Sequence, residues 1–448
     1  MKQIDLTKLS IGFTVEDLCT RCGTCGGVCP EDAIALTDAQ FPRLIADRCT
    51  DCGLCAKTCP GGQVSFLNLT EQTFGHRRDA ETFDGHVRAS YLGYATDPAL
   101  RGGGAGGGVV TALLWDLLKR GVVDGCVVTR MNPEKPWIGE PFIARTYADL
   151  QASQGSRYMI IPLNRALAEV RKAPGRYAVA ALPCQVHGLR LIQQHDPALA
   201  AKIHVVVGLF CGGSLEPVMV QELLQSKGIR KEETHHFEFR GGEWPGQMRV
   251  HLKDGRILPL HYSNYRDGAY NYCTSLYMPV RCQTCIDGSS EFADVSISDA
   301  WTRDASGEYK FKAHSRLLLR TARGEEVVRE AMAAGTLHAF DVTQDPSYRT
   351  HRLQTKRKGM IAPLRVERWR KMGIRVPVYD RALPPSTAKE QMMERAVSGI
   401  LVASRRKWFR YPILAFLTSK YAIPLIKLRI FLKHRKYKRY KAAGAPGR

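Results

Sequence analysis

Short apolar runs alternate with a longer helical pattern through the middle of the chain. Four runs have the length and composition of buried strands. They lie at residues 91–95, 124–129, 177–182 and 204–209. Between the first two, residues 109–118 repeat apolar side chains at helical spacing and end at a Lys-Arg-Gly stop signal. This order of strand, helix and strand predicts a βαβ unit within an α/β domain.

The pattern changes after residue 234 to that of a β-hairpin. Runs at 237–240 and 248–252 flank a turn rich in Gly and Pro. Trp244 in this turn either covers a planar ring or packs at the surface. A further strand is predicted over 293–301, where Asp299 either faces a cofactor or caps a turn.

The first 70 residues contain an internal repeat with an offset of thirty, because residues 19–36 match residues 49–66. A short β-like run follows the Cys-Pro pair of each half, at 33–36 and 63–66. The repeat predicts two βαβ-type halves related by a pseudo-two-fold axis. Residues 71–89 are polar and are predicted to form a linker.

Basic residues are concentrated at the C-terminal end. The net charge is +22, and residues 401–448 contain fourteen Lys or Arg and no Asp or Glu. Aromatic and aliphatic residues between these cations suit a partly helical segment lying on anionic lipid, which Pro412 and Pro424 would break into pieces. An acidic partner protein is the second interpretation, and nucleic acid is a third and less favoured one.

Cellular location is predicted from what the sequence lacks. The first ten residues have no apolar signal core, and no run of eighteen uncharged apolar residues occurs. Fourteen cysteines without such a signal favour a reducing compartment and metal binding over disulfides. We therefore expect a cytoplasmic protein, either free or peripheral on the inner face of the membrane.

Two cysteine runs near the N-terminus carry the clearest chemistry. Each reads C-x2-C-x2-C-x3-C-P, the spacing of bacterial ferredoxins with two 4Fe-4S clusters, in which the fourth Cys of each run ligates the other cluster. One predicted ligand set is Cys19, Cys22, Cys25 and Cys59. The other is Cys49, Cys52, Cys55 and Cys29. A zinc site pairs two C-x2-C hooks without a third Cys two residues on, so the spacing favours iron–sulfur clusters.

A third cluster is predicted further along the chain. Cys184 and Cys211 follow two predicted buried strands, and ligands of α/β sheets lie beyond the carboxyl ends of strands. Cys282 and Cys285 form a C-x2-C hook, which completes four candidate thiolates. Cys273 is a spare or an alternative ligand. The competing interpretation of Cys184 and Cys211 is that they are small core residues.

A glycine-rich stretch opens the helical pattern at residues 101–108. Free N–H groups and the helix dipole at such a position attract phosphate. We therefore favour a site for a cofactor phosphate, and the competing interpretation is a flexible loop. It is neither a P-loop, since no Lys follows the last Gly, nor a clean Rossmann fingerprint.

Six motifs in order resemble the family of coenzyme F420 hydrogenase/dehydrogenase beta subunits over residues 91–301, with the similarity extending to about 340. They read G-G-V-V-T-A-L-L, G-S-R-Y, A-L-P-C-Q-V-H-G-L-R, G-L-F-C-G-G, R-C-x2-C-x-D and A-D-V-S-I-S-D-A-W. The resemblance implies an FAD-binding domain with a 4Fe-4S cluster beside the flavin, held by Cys184, Cys211, Cys282 and Cys285. It also implies a set of residues at or near the flavin. They are Gly106, Gly107, Gly108, Thr111, Ser156, Arg157 and Tyr158. Many members carry S-x-S-G-G before the helix where this chain has G-G-A-G-G, which removes side-chain hydroxyls from the phosphate site.

The predicted architecture is α+β to α/β in four parts. They are a ferredoxin-type domain with two 4Fe-4S clusters at 1–70, a linker at 71–89, a mixed α/β domain with FAD and a 4Fe-4S cluster at 90–340, and a basic, partly helical extension at 341–448.

The predicted function is that of an iron–sulfur flavoprotein oxidoreductase. Flavin exchanges hydride with one partner and single electrons with another, so such a protein reduces or oxidises a small-molecule or deazaflavin-type substrate. The alternative is an electron-transfer adaptor that delivers electrons from ferredoxin to a separate catalytic subunit. A nucleic-acid-binding iron–sulfur protein is suggested by charge alone. The sequence shows no catalytic triad or paired carboxylates, which argues against hydrolysis.

Overall fold

The computed structural model describes residues 17–261, 270–302, 308–345, 355–381 and 386–442. Fifteen strands are described, with the following bounds: Ile34–Leu36 (β1), Pro42–Leu44 (β2), Gln63–Val64 (β3), Ala89–Ala95 (β4), Gly125–Met131 (β5), Gly139–Ala144 (β6), Tyr177–Ala181 (β7), Ile203–Leu209 (β8), Thr234–Gly241 (β9), Gln247–Leu252 (β10), Ile257–Pro259 (β11), Val295–Asp299 (β12), Ser315–Leu319 (β13), Leu337–Asp341 (β14) and Val378–Tyr379 (β15).

The α-helices of these residues have the following bounds: Thr24–Val28 (α1), Leu54–Lys57 (α2), Phe66–Phe74 (α3), Pro98–Gly103 (α4), Val109–Lys119 (α5), Tyr147–Ala152 (α6), Leu167–Lys172 (α7), Pro183–His195 (α8), Pro197–Ala200 (α9), Val218–Gln225 (α10), Tyr270–Tyr277 (α11), Val280–Gln283 (α12), Ala322–Ala333 (α13), Ala362–Lys371 (α14), Ala388–Ala403 (α15), Lys407–Leu417 (α16) and Ile423–Ala442 (α17). Short 3-10 turns lie at Ala46–Arg48, Leu163–Ala166, Lys231–Glu233 and Lys420–Ala422, and a π-helix spans Thr355–Ile361.

An eight-stranded mixed sheet forms the centre of the molecule, in the order β14-β4-β13-β12-β8-β7-β5-β6. The four strands β5, β7, β8 and β12 run parallel, and the outer pairs are antiparallel. The predicted mixed α/β class is confirmed. The βαβ order β4-α5-β5 is present, but four strands lie between β4 and β5 in the sheet.

Side chains of the parallel strands alternate between two apolar layers, as the two-residue period of a strand requires. On one face Val128 and Val207 pack against α5 and α13. On the other face Val127 and Val206 pack against α7 and α8. Helices therefore cover both faces, as parallel strands need.

The predicted β-hairpin is present as β9 and β10, and β11 extends it into a three-stranded antiparallel sheet. A third apolar cluster joins this sheet to α10 and α11, and it includes the fully buried Cys273.

The cysteine-rich segment differs from the predicted pseudo-symmetric pair. β1 pairs with β2, whereas β3 pairs in parallel with β15, more than 300 residues later. The β-like run at 63–66 ends early because Ser65 caps α3 by accepting the N–H of Asn68. The Asp380 carboxylate accepts the N–H of Phe66, which ties this helix start to the C-terminal region.

The stretch predicted as a linker is packed against the domain that follows it. Helix α3 runs through to Phe74, across the predicted boundary at 70. Asp79 pairs with Arg381 at 2.7 Å, and Asp84 pairs with the buried Arg316 at 2.9 Å.

The basic C-terminal extension folds back on the body of the molecule. Arg365 of α14 bonds to Glu394 of α15 at 3.0 Å with both side chains buried. Arg410 of α16 pairs with the buried Glu222 of α10 at 2.6 Å, and Leu414 is buried in the β-hairpin cluster. The expectation that Pro412 breaks the helix is wrong, because α16 continues through it. Pro424 lies in the first turn of α17, where proline is tolerated.

Among the described residues, no helix is both long enough and apolar enough to cross a membrane.

Candidate functional site

The first predicted cluster set converges as the crosswise spacing requires. Cys19, Cys22, Cys25 and Cys59 line one cavity. Burial raises the pKa of Cys19 to about 12, and burial together with the neighbouring thiolate charges raises the pKa of Cys25 well above its ordinary value. Four close thiols, three of them buried, are costly to ionise without a cation, and iron supplies that cation when it binds them as thiolates.

The second predicted set lies nearer the surface. Burial, followed by the charges of Cys52, Cys29 and Cys49, raises the pKa of Cys55 to about 11, so these four sulfurs are neighbours. Cys49 and Cys52 are exposed, whereas Cys19, Cys22 and Cys25 are buried. One cluster position is thus inside the molecule and the other faces solvent.

The third set is brought together from three parts of the chain. Cys184 is in the first turn of α8, directly after β7, and Cys211 follows β8. Cys282 is in α12 and Cys285 follows it. All four line one cavity beneath the carboxyl ends of the parallel strands. Cys273 is in the β-hairpin cluster and does not line this cavity.

The thiols of this third set lie within reach of one another's charges. Burial raises the pKa of Cys211 to about 12; the charge of Lys358 opposes this shift, and the charges of Cys282 and Cys285 add to it. Among the described side chains, no three His, Cys, Asp or Glu converge closely enough to hold a single metal ion. Four thiols around one cavity match the number of ligands that a 4Fe-4S cube takes at its corners.

The third set adjoins the first. Burial and then the charge of Cys22 raise the pKa of Cys184, so a first-run cysteine acts on it more strongly than the rest of its own set. Thr20 and Arg21 also line the third cavity. Arg281 lies between the sets, where its guanidinium donates to the carbonyls of Gly61 and Pro60. The order along the molecule is therefore third set, first set, second set.

Glycine makes this close approach possible. A Cβ on Gly23 would lie 2.6 Å from the Pro162 carbonyl oxygen, and one on Gly27 would lie 2.0 Å from that of Asn164. Asn164 also donates its side-chain amide to Thr24 at 2.9 Å. The first cysteine run can lie flat on the α/β domain only because these positions lack side chains.

Several residues at the third cavity were not singled out from the sequence. His187 and Asp287 are buried and bonded at 3.0 Å, and Tyr379 donates to the carbonyl of Thr284 at 3.0 Å. Lys358 is 2% exposed and donates to the carbonyl of Cys282 at 3.1 Å. His187 and Asp287 lie within the motifs that contain Cys184 and Cys285, so their place at the third cavity could have been predicted from these motifs. Lys358 and Tyr379 come from distant segments with no local signal.

The glycine-rich stretch forms a tight turn at the start of α5. Gly107 and Gly108 have φ of +90° and +72°, and no side chain caps the helix. A Cβ on Gly108 would lie 2.2 Å from the Leu100 carbonyl oxygen, and one on Gly106 would lie 2.5 Å from Asp299 Oδ1. Packing and backbone conformation thus require these glycines, and the turn leaves the first N–H groups of α5 without a side-chain acceptor. Thr111 follows, with 7% of its surface exposed.

Arg157, which the resemblance places near the flavin, binds backbone carbonyls at the end of α6. Its guanidinium donates to the carbonyls of residues 152, 153, 154 and 155, so it caps the end of α6. Burial lowers its pKa to about 10. Ser156 is half-buried beside it, and Tyr158 packs edge-on against Phe239. The two terminal nitrogens of Arg157 are thus engaged by backbone carbonyls.

An aromatic cluster stands beside the glycine turn. Trp244 and Trp301 lie 5.2 Å apart, and Arg240 pairs with Asp299 at 2.9 Å. The buried Nε1 of Trp244 has no hydrogen-bond partner among the described residues. Asp299 thus faces a buried arginine at the carboxyl end of β12 and does not cap a turn.

Three family models match the chain. Residues 13–60 match a 4Fe-4S dicluster domain. Residues 90–168 match the N-terminal model of the coenzyme F420 hydrogenase/dehydrogenase beta subunit, and residues 175–345 match its C-terminal model.

Curated relatives agree with these matches. The chain is 26% identical over 324 residues to the coenzyme F420-dependent sulfite reductase of Methanocaldococcus jannaschii, covering 69% of this chain and 45% of that protein. It therefore spans less than half the length of that relative. It is 25% identical over 321 residues to one of the subunits of the F(420)H(2) dehydrogenase of Methanosarcina mazei, covering 70% of this chain and 84% of that one.

A solved structure shares the fold. A chain of the F420-reducing [NiFe] hydrogenase complex from Methanosarcina barkeri superposes with a TM-score of 0.51 at 22% identity. The superposition covers 68% of this chain and 99% of that chain.

Proposed function

This chain belongs to the family of coenzyme F420 hydrogenase/dehydrogenase beta subunits and carries a 4Fe-4S dicluster domain, and from that premise we propose that it is an electron-transfer oxidoreductase with three 4Fe-4S clusters and FAD. The clusters are held by the three cysteine sets described above. The substrate is a small molecule or a deazaflavin.

One observation carries the proposal: the third cysteine set lies directly against the first. Thr20 and Arg21 of the first run line the cavity that holds Cys184, so two clusters at these sites would be close enough to exchange electrons without a mobile carrier. The first set is buried and the second reaches the surface, so the three form a path from inside the α/β domain to solvent. A protein partner can meet this path at Cys49 and Cys52.

The proposed FAD site is the turn at the start of α5. The N–H groups that open this helix suit a flavin phosphate, and the unpartnered Nε1 of Trp244 suits a polar edge of a ring. Bound flavin would supply exchange of hydride with the substrate and of single electrons with the clusters. The residues of this chain bind and orient it.

Replacing Thr111 by Val should lower flavin occupancy about tenfold at limiting flavin, because a hydrogen bond to a charged group is worth ~1.5–3 kcal/mol. Valine has nearly the shape of threonine, so the fold is retained. A valine at Gly107 would be a poorer test, since its Cβ would lie 2.7 Å from the Ala313 carbonyl oxygen and disturb the turn itself.

The matched control is Thr111→Ser, which keeps a hydroxyl and should keep flavin. Occupancy is read from the flavin absorbance released from anaerobically purified protein. Equal occupancy in the two variants would remove Thr111 from the site.

A second function is an adaptor that passes electrons from ferredoxin to a separate catalytic subunit. It is favoured because the Methanosarcina mazei relative is one of several subunits of a dehydrogenase, and because the fold recurs in a hydrogenase complex. A screen of electron donors separates the two. Flavin bleached by a reduced deazaflavin or nicotinamide supports the oxidoreductase, and flavin reduced only through a protein donor supports the adaptor.

We also propose that α16 and α17 lie on an anionic membrane surface. Large apolar side chains are exposed on both helices, including Trp408 of α16 at 70% and Phe431 of α17 at 60%. No Asp or Glu occurs after Glu394, so the surface is apolar and cationic together. Aromatic rings suit the headgroup region, and each nearby cation adds ~1 kcal/mol of attraction to anionic lipid.

Exchanging Trp408, Phe416, Leu425 and Leu428 for Gln should abolish sedimentation with phosphatidylglycerol vesicles. Removing the whole tail would be a poor test, because Leu414 and Arg410 hold α16 to the body. Binding of the unaltered chain should also fall as salt exceeds ~0.1 M, where the Debye length is ~10 Å.

A control variant exchanges Ile257 and Met372 for Gln. These side chains are exposed to a similar degree but lie outside α16 and α17. It should sediment like the unaltered chain. If neutral phosphatidylcholine vesicles bind equally well, or if the four-residue variant still sediments, the membrane assignment is wrong and a protein partner explains the surface.

A further inference from the structure

Lys358 places a buried positive charge against the third cysteine set. It is 2% exposed and lies in the π-helix Thr355–Ile361, beyond the last residue of the family match at 345. Its Nζ donates to the carbonyl oxygen of Cys282 at 3.1 Å. It also lines the cavity that holds the four cysteines.

The cysteines of this set share their cavity with Lys358, and Arg281 and Asp287 also line it. Among the described residues, the ammonium forms no ion pair with a carboxylate. The nearby Asp287 is bonded instead to His187.

A buried cation without a carboxylate partner is costly unless something else compensates its charge. A 4Fe-4S cube with four thiolates carries a net negative charge, which grows by one when the cube accepts an electron. A cluster held by the four cysteines of this cavity would compensate the lysine, which no described carboxylate does.

We propose that Lys358 is the counter-charge of the third cluster and raises its reduction potential, so that the C-terminal extension tunes the redox centre of the family domain. This inference rests on the proposed third cluster. A fixed positive charge stabilises the reduced, more negative cube over the oxidised one, because the attraction scales with the charge of the cube. Lys358 thus acts through its fixed positive charge and does not ligate the cluster.

The inference is tested by redox titration of the full chain, followed by electron paramagnetic resonance. The signal of the third cluster is the one lost in a Cys282→Ser, Cys285→Ser variant. Lys358→Met should shift the midpoint potential of that signal downward. At a fixed potential, the ratio of reduced to oxidised cluster should fall at least tenfold, which is about 59 mV for one electron. The potentials of the other two clusters should move less.

Two further variants make every outcome informative. Lys356→Met removes an exposed cation two residues away and should leave the potential unchanged. Lys358→Arg keeps the charge and should keep the potential closer to that of the unaltered chain than Lys358→Met does. An unchanged potential in Lys358→Met, or an equal shift in Lys356→Met, overturns the inference.

Iron content separates failure of the inference from failure of the proposed function. Loss of the third cluster in Lys358→Met but not in Lys358→Arg supports a requirement for the charge. Loss in both variants assigns Lys358 a packing role and overturns the inference. If the unaltered chain lacks a third cluster, the three-cluster function is wrong, and the inference about Lys358 is wrong for the same reason.

Discussion

Exchanging Cys282 and Cys285 together for Ser should lower the iron content from about twelve to about eight atoms per chain, because one cube of four is lost. Serine is nearly the size of cysteine but offers no thiolate. The two residues supply half the ligands of the third set, and the remaining Cys184 and Cys211 cannot hold a cube alone. The spectra of the other two clusters should remain.

The control for this variant is Cys273→Ser. Cys273 of α11 is more buried than the four proposed ligand cysteines, and it packs among the apolar side chains of the β-hairpin cluster. Its exchange buries a hydroxyl and costs ~1–3 kcal/mol of stability, without touching the cavity. Iron should stay at about twelve. Equal iron in the double variant and in the control would show that Cys282 and Cys285 are not ligands.

A second large effect is expected from Cys59→Ser and Cys29→Ser, which should remove different clusters. The cavity lined by Cys19, Cys22 and Cys25 includes Cys59 and not Cys29. Cys59→Ser should therefore remove the buried middle cluster, although Cys59 belongs to the second run. Cys29→Ser should remove the outer cluster. Each variant should retain about eight iron atoms.

The two variants should differ in which of the remaining clusters can still be reduced from the substrate side. Without the middle cluster, the third and outer clusters are separated, so reducing equivalents from the substrate side should no longer reach the outer cluster. Without the outer cluster, the third and middle clusters should still be reduced together. Stopped-flow reduction with iron analysis measures this. If Cys59→Ser left the middle cluster and removed the outer one, the crosswise assignment would be wrong.

Local signals predicted most of the site. The ferredoxin spacing determines which thiolates share a cube, because three ligands of each set lie within seven residues. Cys184 and Cys211 were predicted from their place after buried strands, and parallel strands do bring these positions to one edge of the sheet.

Contacts between distant segments could not be predicted in this way. The pairing of β3 with β15 and the burial of Lys358 depend on how the C-terminal extension folds back over the domain. Arg157 matched a motif, but its guanidinium is held by the carbonyls that end α6. The sequence shows that an arginine is present and not which acceptors lie within its reach.

Iron and flavin content of the full-length chain, purified without oxygen, is the most direct test of the three-cluster flavoprotein. Three cubes and one flavin predict about twelve iron atoms and one FAD per chain. About eight iron atoms without flavin would contradict it, since the protein would then be a two-cluster carrier with an unused cavity around Cys184.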